Sequence, residues 1–250
     1  MLGATRYANL MIDTADRLAS ARTPEQAWYS AAEICRTIGA QALNAGAVMR
    51  DSREFVWARS SMARSWLREY EEAALYRVDP FRAAAVTGKV TRHVSVEDQF
   101  PGQDEPRLRQ LRSLGLAHNY RHVVSHLYRQ GATEQVVVLI CEQDPASLFG
   151  PGTLRAYSAI SAMISQAIRP PGLGDAEDRF FGLAWPTLTS EERAALSYCG
   201  VGMAPDQIAE RLVVPQEDAS SVLWRACRKL RVDSVPQAVA IAMARGALDL

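Results

Sequence analysis

Several things are scarce in this 250-residue chain. Only four cysteines occur, Cys35, Cys141, Cys199 and Cys227, with no CxxC pair and each in apolar surroundings. That spacing excludes a zinc ribbon or disulfide framework and predicts buried free thiols in a reducing compartment. Net charge is absent as well: 28 basic residues face 28 acidic ones, so no global field draws the chain to nucleic acid or an anionic membrane, and any basic patch must be local. Lysine is nearly missing, with 2 Lys against 26 Arg, which reads as the coding bias of a GC-rich genome. Long hydrophobic runs are also missing. The longest, Val136 to Cys141 and Ala238 to Ala244, fall far short of a membrane span, and no charged-then-apolar leader opens the chain, which predicts a soluble, cytoplasmic protein.

Catalytic motifs are equally scarce. There is no G-x-S-x-G, no phosphate-binding glycine loop and no H-E-x-x-H, and carboxylate neighbours such as Glu71-Glu72 and Glu191-Glu192 diverge on a helix. A binding protein is therefore expected, not an enzyme, with no cofactor.

What is present is 48% hydrophobic residues, enough for real cores, arranged in two contrasting stretches. Helical spacing runs from Tyr7 to Leu18 and from Pro24 to Ile38, where Gly39 stops it. β-rich runs follow at Ala42 to Met49 and Phe55 to Ser60, joined by the turn Asp51-Ser52-Arg53. Helices are expected over Ala63 to Tyr76 and Pro80 to Val86, a short strand over Val90 to Val96, and a charged helix over Gln103 to Leu114. A second hairpin, Tyr120 to Tyr128 with Gln135 to Cys141, precedes an amphipathic helix from Leu154 to Ile168. The order predicts an α+β domain, an α/β/α sandwich with a mainly antiparallel sheet. Arg169-Pro170-Pro171-Gly172-Leu173-Gly174 is the clearest breaker cluster. Beyond it the pattern is all helical: a connector over Asp175 to Leu183, then Ser190 to Cys199, Pro205 to Leu212, Gln216 to Leu230 and Val235 to Arg245. The expected division is 1–168, a linker at 169–187, and an all-α four-helix domain at 188–250.

Two constellations invite a functional reading. Trp66, Tyr70 and Asp79-Pro80 are spaced W-x3-Y-x8-D-P. An indole N–H, a phenol and a carboxylate converging in an aromatic pocket would suit a small polar head with donors and acceptors. The plain alternative is two core aromatics and an aspartate that caps the helix beginning at Pro80. In Gln216 to Leu230, Ala219, Val222, Leu223, Ala226 and Leu230 form one apolar stripe, opposite Glu217, Ser221, Trp224, Arg225 and Arg228. Such a helix fits a DNA groove, or is an ordinary solvated helix. His118, His122 and His126 recur every four residues. In a strand context that step is roughly 13 Å, too far for shared metal ligation, so three histidines on one exposed or half-exposed strand face are expected and no metal site. His93 stands alone and is assigned to packing unless the pocket claims it.

In the last segment the frame Leu188-Thr189, Glu192, Leu196, Gly202, Ile208-Ala209, Leu212, Lys229-Leu230, Val232 and Ala238-Val239 resembles the DNA-binding domain of LuxR-type regulators, a four-helix helix-turn-helix variant. The resemblance implies a third helix that enters the major groove and a last helix that supports dimerisation on a palindromic operator. It also makes Trp66, Tyr70, Asp79 and Pro80 look like the signature of the family's acyl-homoserine-lactone receptor domain. By that likeness Trp66 would donate to the lactone carbonyl, Tyr70 to the amide carbonyl, and Asp79 would accept from the amide N–H, with the acyl tail among aliphatic residues of the sheet.

Departures accompany the likeness. His93 falls about where the family has a second pocket tryptophan. Asn119 and Val123 replace a usual glycine and proline, and Val136 to Val138 replaces a stretch that often offers a hydroxyl. In the third helix Pro215, Asp218, Ser220 and Val222 stand where Ser or Thr, a basic residue and His are usual. Residues 188–250 carry seven Lys and Arg against eight Asp and Glu, so general phosphate attraction is weak and contact would rest on Arg225, Arg228, Lys229 and Arg231, with Ser220, Ser221 and Trp224 near base edges. Two readings follow: a LuxR-type regulator that binds an acyl-homoserine lactone or related signal and double-stranded DNA as a homodimer, or a relative without DNA binding that acts as an antiactivator by forming heterodimers with another LuxR-type protein.

Overall fold

The computed structural model describes residues 2–99, 105–148, 150, 152–171 and 187–248. These fall into two compact units, one running through Arg169 and the other holding Pro170, Pro171 and residues 187–248. The connector helix expected over Asp175 to Leu183 lies outside the described residues.

In the first unit, helices α1 (Leu2–Ala19) and α2 (Pro24–Thr37) lead into the hairpin β1 (Ala40–Met49) and β2 (Phe55–Ser60). Thr23 caps α2 by accepting from the Gln26 amide at 3.1 Å, with Pro24 in the first turn. Then come α3 (Arg64–Glu72), α4 (Pro80–Thr87), β3 (His93–Ser95), α5 (Val96–Gln99), α6 (Pro106–Ala117), the hairpin β4 (His122–Gln130) and β5 (Thr133–Cys141), α7 (Pro145–Leu148) and α8 (Thr153–Ala167). The strands form one antiparallel sheet in the order β2-β1-β5-β4-β3. The α/β/α sandwich expected from the element order is the observed architecture.

Side chains alternate between the two faces of this sheet. Ala42, Val123 and Ile140 pack with Trp66, Leu67 and Tyr70 of α3 and Leu111 and Leu114 of α6. From the opposite face, Tyr128 and Gln130 donate to the Ser158 and Ser165 carbonyls of α8 at 2.7 and 2.9 Å.

Four expectations on this unit need correction. The helix drawn from Ala63 to Tyr76 ends at Glu72: Ala74 takes a left-handed φ of 51° and a 3-10 turn over Leu75–Arg77 follows, which drives Leu75 fully into the core. No glycine marks that break in the sequence. The strand drawn over Val90 to Val96 shrinks to His93–Ser95, because this edge strand pairs with β4 alone and Val96 already opens α5. The charged helix starts at Pro106 and runs to Ala117, and its expected first residues, Gln103 and Asp104, lie outside the described residues. Strand β4 begins at His122, two residues after Tyr120, since Asn119 sits at φ 59° and turns the chain first. Asparagine tolerates that left-handed position.

That turn also removes His118 from the strand; it caps the end of α6 instead. His126 is 7% exposed, so it does not lie on an open face, and burial, with the Arg92 charge beside it, lowers its pKa to about 4. Cys35, Cys141 and Cys227 are buried free thiols and Cys199 is half-buried and free. Burial pushes Cys141 up to about 11, which keeps it an unreactive thiol.

The second unit holds α9 (Ser190–Gly200), α10 (Pro205–Leu212), α11 (Gln216–Leu230) and α12 (Val235–Ala244). Its core is built from Leu196, Ile208, the α11 stripe Ala219, Val222, Leu223, Ala226 and Leu230, and Ala238 and Ile241. Between α10 and α11 the chain turns at Val213, a β-branched residue at φ 57° and 89% exposed, held there by the tight turn. Among the described residues no helix is long and apolar enough to cross a membrane.

At Gly46 of β1, opposite Ala58, an added Cβ would lie 2.7 Å from the Trp57 carbonyl oxygen, a backbone atom that cannot swing away. Gly46→Ala should therefore cost about 1–3 kcal/mol in urea denaturation, the usual penalty of overpacking. An unchanged midpoint would contradict this packing.

Candidate functional site

The sheet face beneath α3, α4 and α6 does not close completely. It leaves a cavity of about 110 Å³, several times the roughly 10–15 Å³ that one water needs. Its floor is Gly46, Ala58, Val123, Val136, Val138 and Ile140, alternate residues of four strands, and its roof includes Met62, Trp66, Phe81, Ala85 and Leu111. The wall is apolar apart from Asn44, Trp66, Asp79, Arg82 and Tyr120.

The Trp66, Tyr70 and Asp79 constellation is brought together, in a layered arrangement. Trp66 and Tyr70, one turn apart on α3, stack at 4.7 Å between ring centroids, and Tyr120 meets Trp66 edge-on at 6.1 Å. Trp66 is 5% exposed and its Nε1 has no hydrogen-bond partner among the described residues. Tyr70 is fully buried and stands behind the cavity wall; its hydroxyl donates to Asp79 Oδ2 at 2.7 Å. The other oxygen, Oδ1, accepts from the backbone N–H groups of Phe81 at 2.8 Å and Arg82 at 3.3 Å, capping α4. The cap reading of Asp79 thus holds for Oδ1, while Oδ2 takes the Tyr70 hydroxyl. Burial raises the Asp79 pKa, against the pull of the Tyr70 hydroxyl, the two amides and the Arg82 charge. Burial also raises Tyr70 well above its usual value, helped by the negative charge of Asp79, so the phenol stays a donor.

His93 does not line the cavity. It pairs with Val124, whereas the cavity residue on β4 is Val123, so strand alternation sends His93 to the other face of the sheet. An offset of a single residue separates the two outcomes, and no count along the sequence resolves it. There His93 Nε2 meets His122 Nδ1 at 3.4 Å. Asn44 and Arg82 are cavity residues that stand outside the W-x3-Y-x8-D-P spacing. Asn44 accepts from the Ser60 hydroxyl at 2.6 Å and donates to the Met62 sulfur at 3.2 Å, and Arg82 lies over the Phe55 ring at 5.4 Å. The signal for Asn44 is an amide at a core-facing position of an otherwise apolar strand; Arg82 has none, since its place follows from the Asp79 cap.

In the second unit the outward face of α11 carries Glu217, Asp218, Ser221, Trp224, Arg225 and Arg228, all exposed, with Ser220 and Lys229 half-buried. Trp224 is 55% exposed. The Ser221 hydroxyl is turned back onto the Glu217 carbonyl at 2.9 Å. Lys229 is drawn inward: its ammonium donates to Glu192 Oε2 at 2.7 Å and to the Thr187 carbonyl at 3.2 Å. Glu192 is 2% exposed and closes a capping box, accepting from the Thr189 amide while the Thr189 hydroxyl accepts from the Glu192 amide. Lys229 therefore fastens the start of α9 to the end of α11 and is a fold residue first. Arg225 makes a looser, exposed contact with Glu191 at 3.3 Å, an ion pair easily exchanged for another anion. Val222 is 1% exposed, so the position at which the LuxR-type resemblance leads one to expect a histidine faces the core and not a groove.

No protein-family model matches the chain, and no curated protein matches it in sequence. Among solved structures it is similar to SdiA of Escherichia coli, with 13% identity over 98% of this chain and 100% of that one and a TM-score of 0.51. It is also similar to SdiA in complex with octanoyl-rac-glycerol, at 11% identity over 96% and 95% and a TM-score of 0.49. A third is CepR2, an N-acylhomoserine lactone dependent LuxR family transcription factor from Burkholderia cenocepacia, at 21% identity over 65% and 93% and a TM-score of 0.48. The likeness to the first shows the LuxR-like α+β two-domain fold.

Two stability measurements check the polar links. Tyr70→Phe removes a donor from a buried carboxylate and should cost about 1–3 kcal/mol in urea denaturation; a loss under about 0.5 kcal/mol would mean the link is not formed. For Glu192, burial pushes the pKa up, but the Lys229 ammonium and the Thr189 amide outweigh it and the carboxyl ends below its usual 4.5. A depressed carboxyl stabilises above its unfolded value and loses that contribution as pH falls. Lys229→Ala should accordingly cost about 1–3 kcal/mol near neutrality, and the difference from wild type should shrink as pH drops below about 4.5. A pH-independent difference would contradict the pairing.

Proposed function

We propose that the chain is a signal-responsive transcription regulator of the LuxR type. Residues 1–168 act as the sensor, 169–187 as the linker and 188–250 as the helix-turn-helix module, which works as a dimer on a palindromic operator. The signal is an acyl-homoserine lactone or an amphiphile of the same build, with a polar head carrying a carbonyl and an apolar tail.

The observation that carries this reading is the Trp66 indole N–H, buried in the wall of an apolar cavity without an acceptor among the described residues. An unpaired buried donor costs about 1–3 kcal/mol, and a ligand carbonyl recovers it. Asp79 Oδ2 keeps one lone pair for an amide N–H, while Tyr70 sits one layer back and orients Asp79 in place of reaching the ligand itself. Val136 and Val138 offer the tail an apolar floor where a hydroxyl would otherwise point. In the DNA module, Arg225 and Arg228 meet phosphates, and Trp224 lies nearest the base edges with Ser220 and Ser221 beside it.

A second reading is favoured by one feature. Glu217 and Asp218 are exposed in the first turn of α11, where a groove-binding helix would meet phosphates, and Lys229 is committed to Glu192. The same fold would then serve as an antiactivator that forms heterodimers with a DNA-binding relative.

Operator selection with the full chain, with and without mixed acyl-homoserine lactones, separates the two. The regulator reading expects a palindrome enriched in the presence of lactone, with Trp66→Phe weakening lactone binding about tenfold or more. No enrichment under either condition overturns it. The antiactivator reading expects Asp218→Thr with Ser220→Lys to create binding to a family-type operator, and a wild-type footprint on such DNA contradicts it.

A further inference from the structure

The sheet face turned away from the cavity carries a cluster of a different kind. His93 opens β3 and His122 opens β4; His93 is paired with Val124, so the two histidines are diagonal neighbours on the same face. His122 in turn lies opposite Cys141, the last residue of β5, and three residues further on the chain reaches Asp144. Edge pairing at one end of the sheet thus gathers residues from three separate segments. His93 Nε2 lies 3.4 Å from His122 Nδ1 and 3.6 Å from Asp144 Oδ1, and one ligating atom from each residue lies within 4.8 Å of the other two. His93 and His122 are half-buried and Asp144 is exposed, so one side of the cluster stays open to water.

We propose that His93, His122 and Asp144 form a binding site for a divalent transition-metal ion of the zinc class, with water in the fourth position. Zinc holds imidazole nitrogens and carboxylate oxygens at about 2.0–2.2 Å, and in a tetrahedral arrangement such ligand atoms sit roughly 3.3–3.5 Å apart. The two short separations lie close to that edge, and the third, within 4.8 Å, would shorten on binding. The donor set, two imidazoles and one carboxylate, suits zinc and its neighbours over magnesium or calcium, which take oxygen ligands. Asp144 is oriented by the backbone, since its Oδ1 also accepts from the Ala146 amide at 2.9 Å, which fixes the carboxylate at the start of α7. The metal would tie the three-residue edge strand β3 to β4 and to the segment after β5. Val96, directly after β3, lines the cavity, so the staple would brace one wall of the pocket from behind.

Zinc titration of the full chain in competition with a chromophoric chelator, with Co2+ substituted for its visible d–d bands, tests this site. One equivalent is expected, with the intense bands of a four-coordinate ion, and zinc should raise the melting temperature of the wild type. Asp144→Asn keeps the acceptor for the Ala146 amide and so keeps the fold, yet it should weaken zinc at least tenfold and abolish the thermal shift. His93→Gln should weaken it as much, and His118→Ala, outside the cluster, should leave it unchanged. No stoichiometric binding, which leaves a hydrogen-bonded histidine pair only, overturns the proposal. So does binding that survives both Asp144→Asn and His93→Gln.

Discussion

A residue on an antiparallel sheet has two directions available, and the two faces of this sheet serve opposite ends. On one, Gly46, Val123, Val136, Val138 and Ile140 leave an apolar floor that α3, α4 and α6 roof over without filling. On the other, Tyr128 and Gln130 engage α8 and His93 approaches His122. The period of two is strict, so a shift of one residue in β3 would turn His93 to the cavity face of the sheet and Val94 away from it. Cavity, histidine cluster and helix packing all depend on this one register.

The helices are pinned by a device used twice. In the first unit Asp79 caps α4 with one oxygen and receives the Tyr70 hydroxyl from α3 on the other. In the second, Glu192 closes the capping box of α9 and receives the Lys229 ammonium from α11. In both cases a carboxylate hidden from water satisfies a helix start and takes a donor from another helix, and the angle between the two helices is fixed by chemistry that tolerates little change. A buried acid of this sort costs much when left unpaired and little when fully bonded. The difference between the two is their consequence: the first shapes a cavity wall, while the second withdraws a cation from the surface expected to meet DNA.

Much of this is legible in the sequence. Periodicity places nearly every element, and the stripe Ala219, Val222, Leu223, Ala226 and Leu230 fixes which side of α11 is buried. The motif spacing brings Trp66, Tyr70 and Asp79 to one place. What cannot be read are events that depend on partners distant in sequence. The left-handed Ala74 breaks a helix without glycine or proline because Leu75 must reach the core. His93 loses its pocket place to register, and Lys229 loses its surface place to Glu192, 37 residues away. The spacing of His118, His122 and His126 argues against metal ligation, yet the two histidines that meet, His93 and His122, come from different strands.

In the proposed sensor, the Trp66 N–H bonds an acceptor carried by an amphiphile. Five tryptophans are present, so the indole resonance that disappears in Trp66→Phe identifies the group in a 15N-correlated proton spectrum. Saturating acyl-homoserine lactone should move that resonance downfield, as a newly bonded N–H requires, and leave the exposed Trp224 indole in place. A Trp66 resonance that stays where it was under every lactone tried would contradict a ligand bond at this N–H.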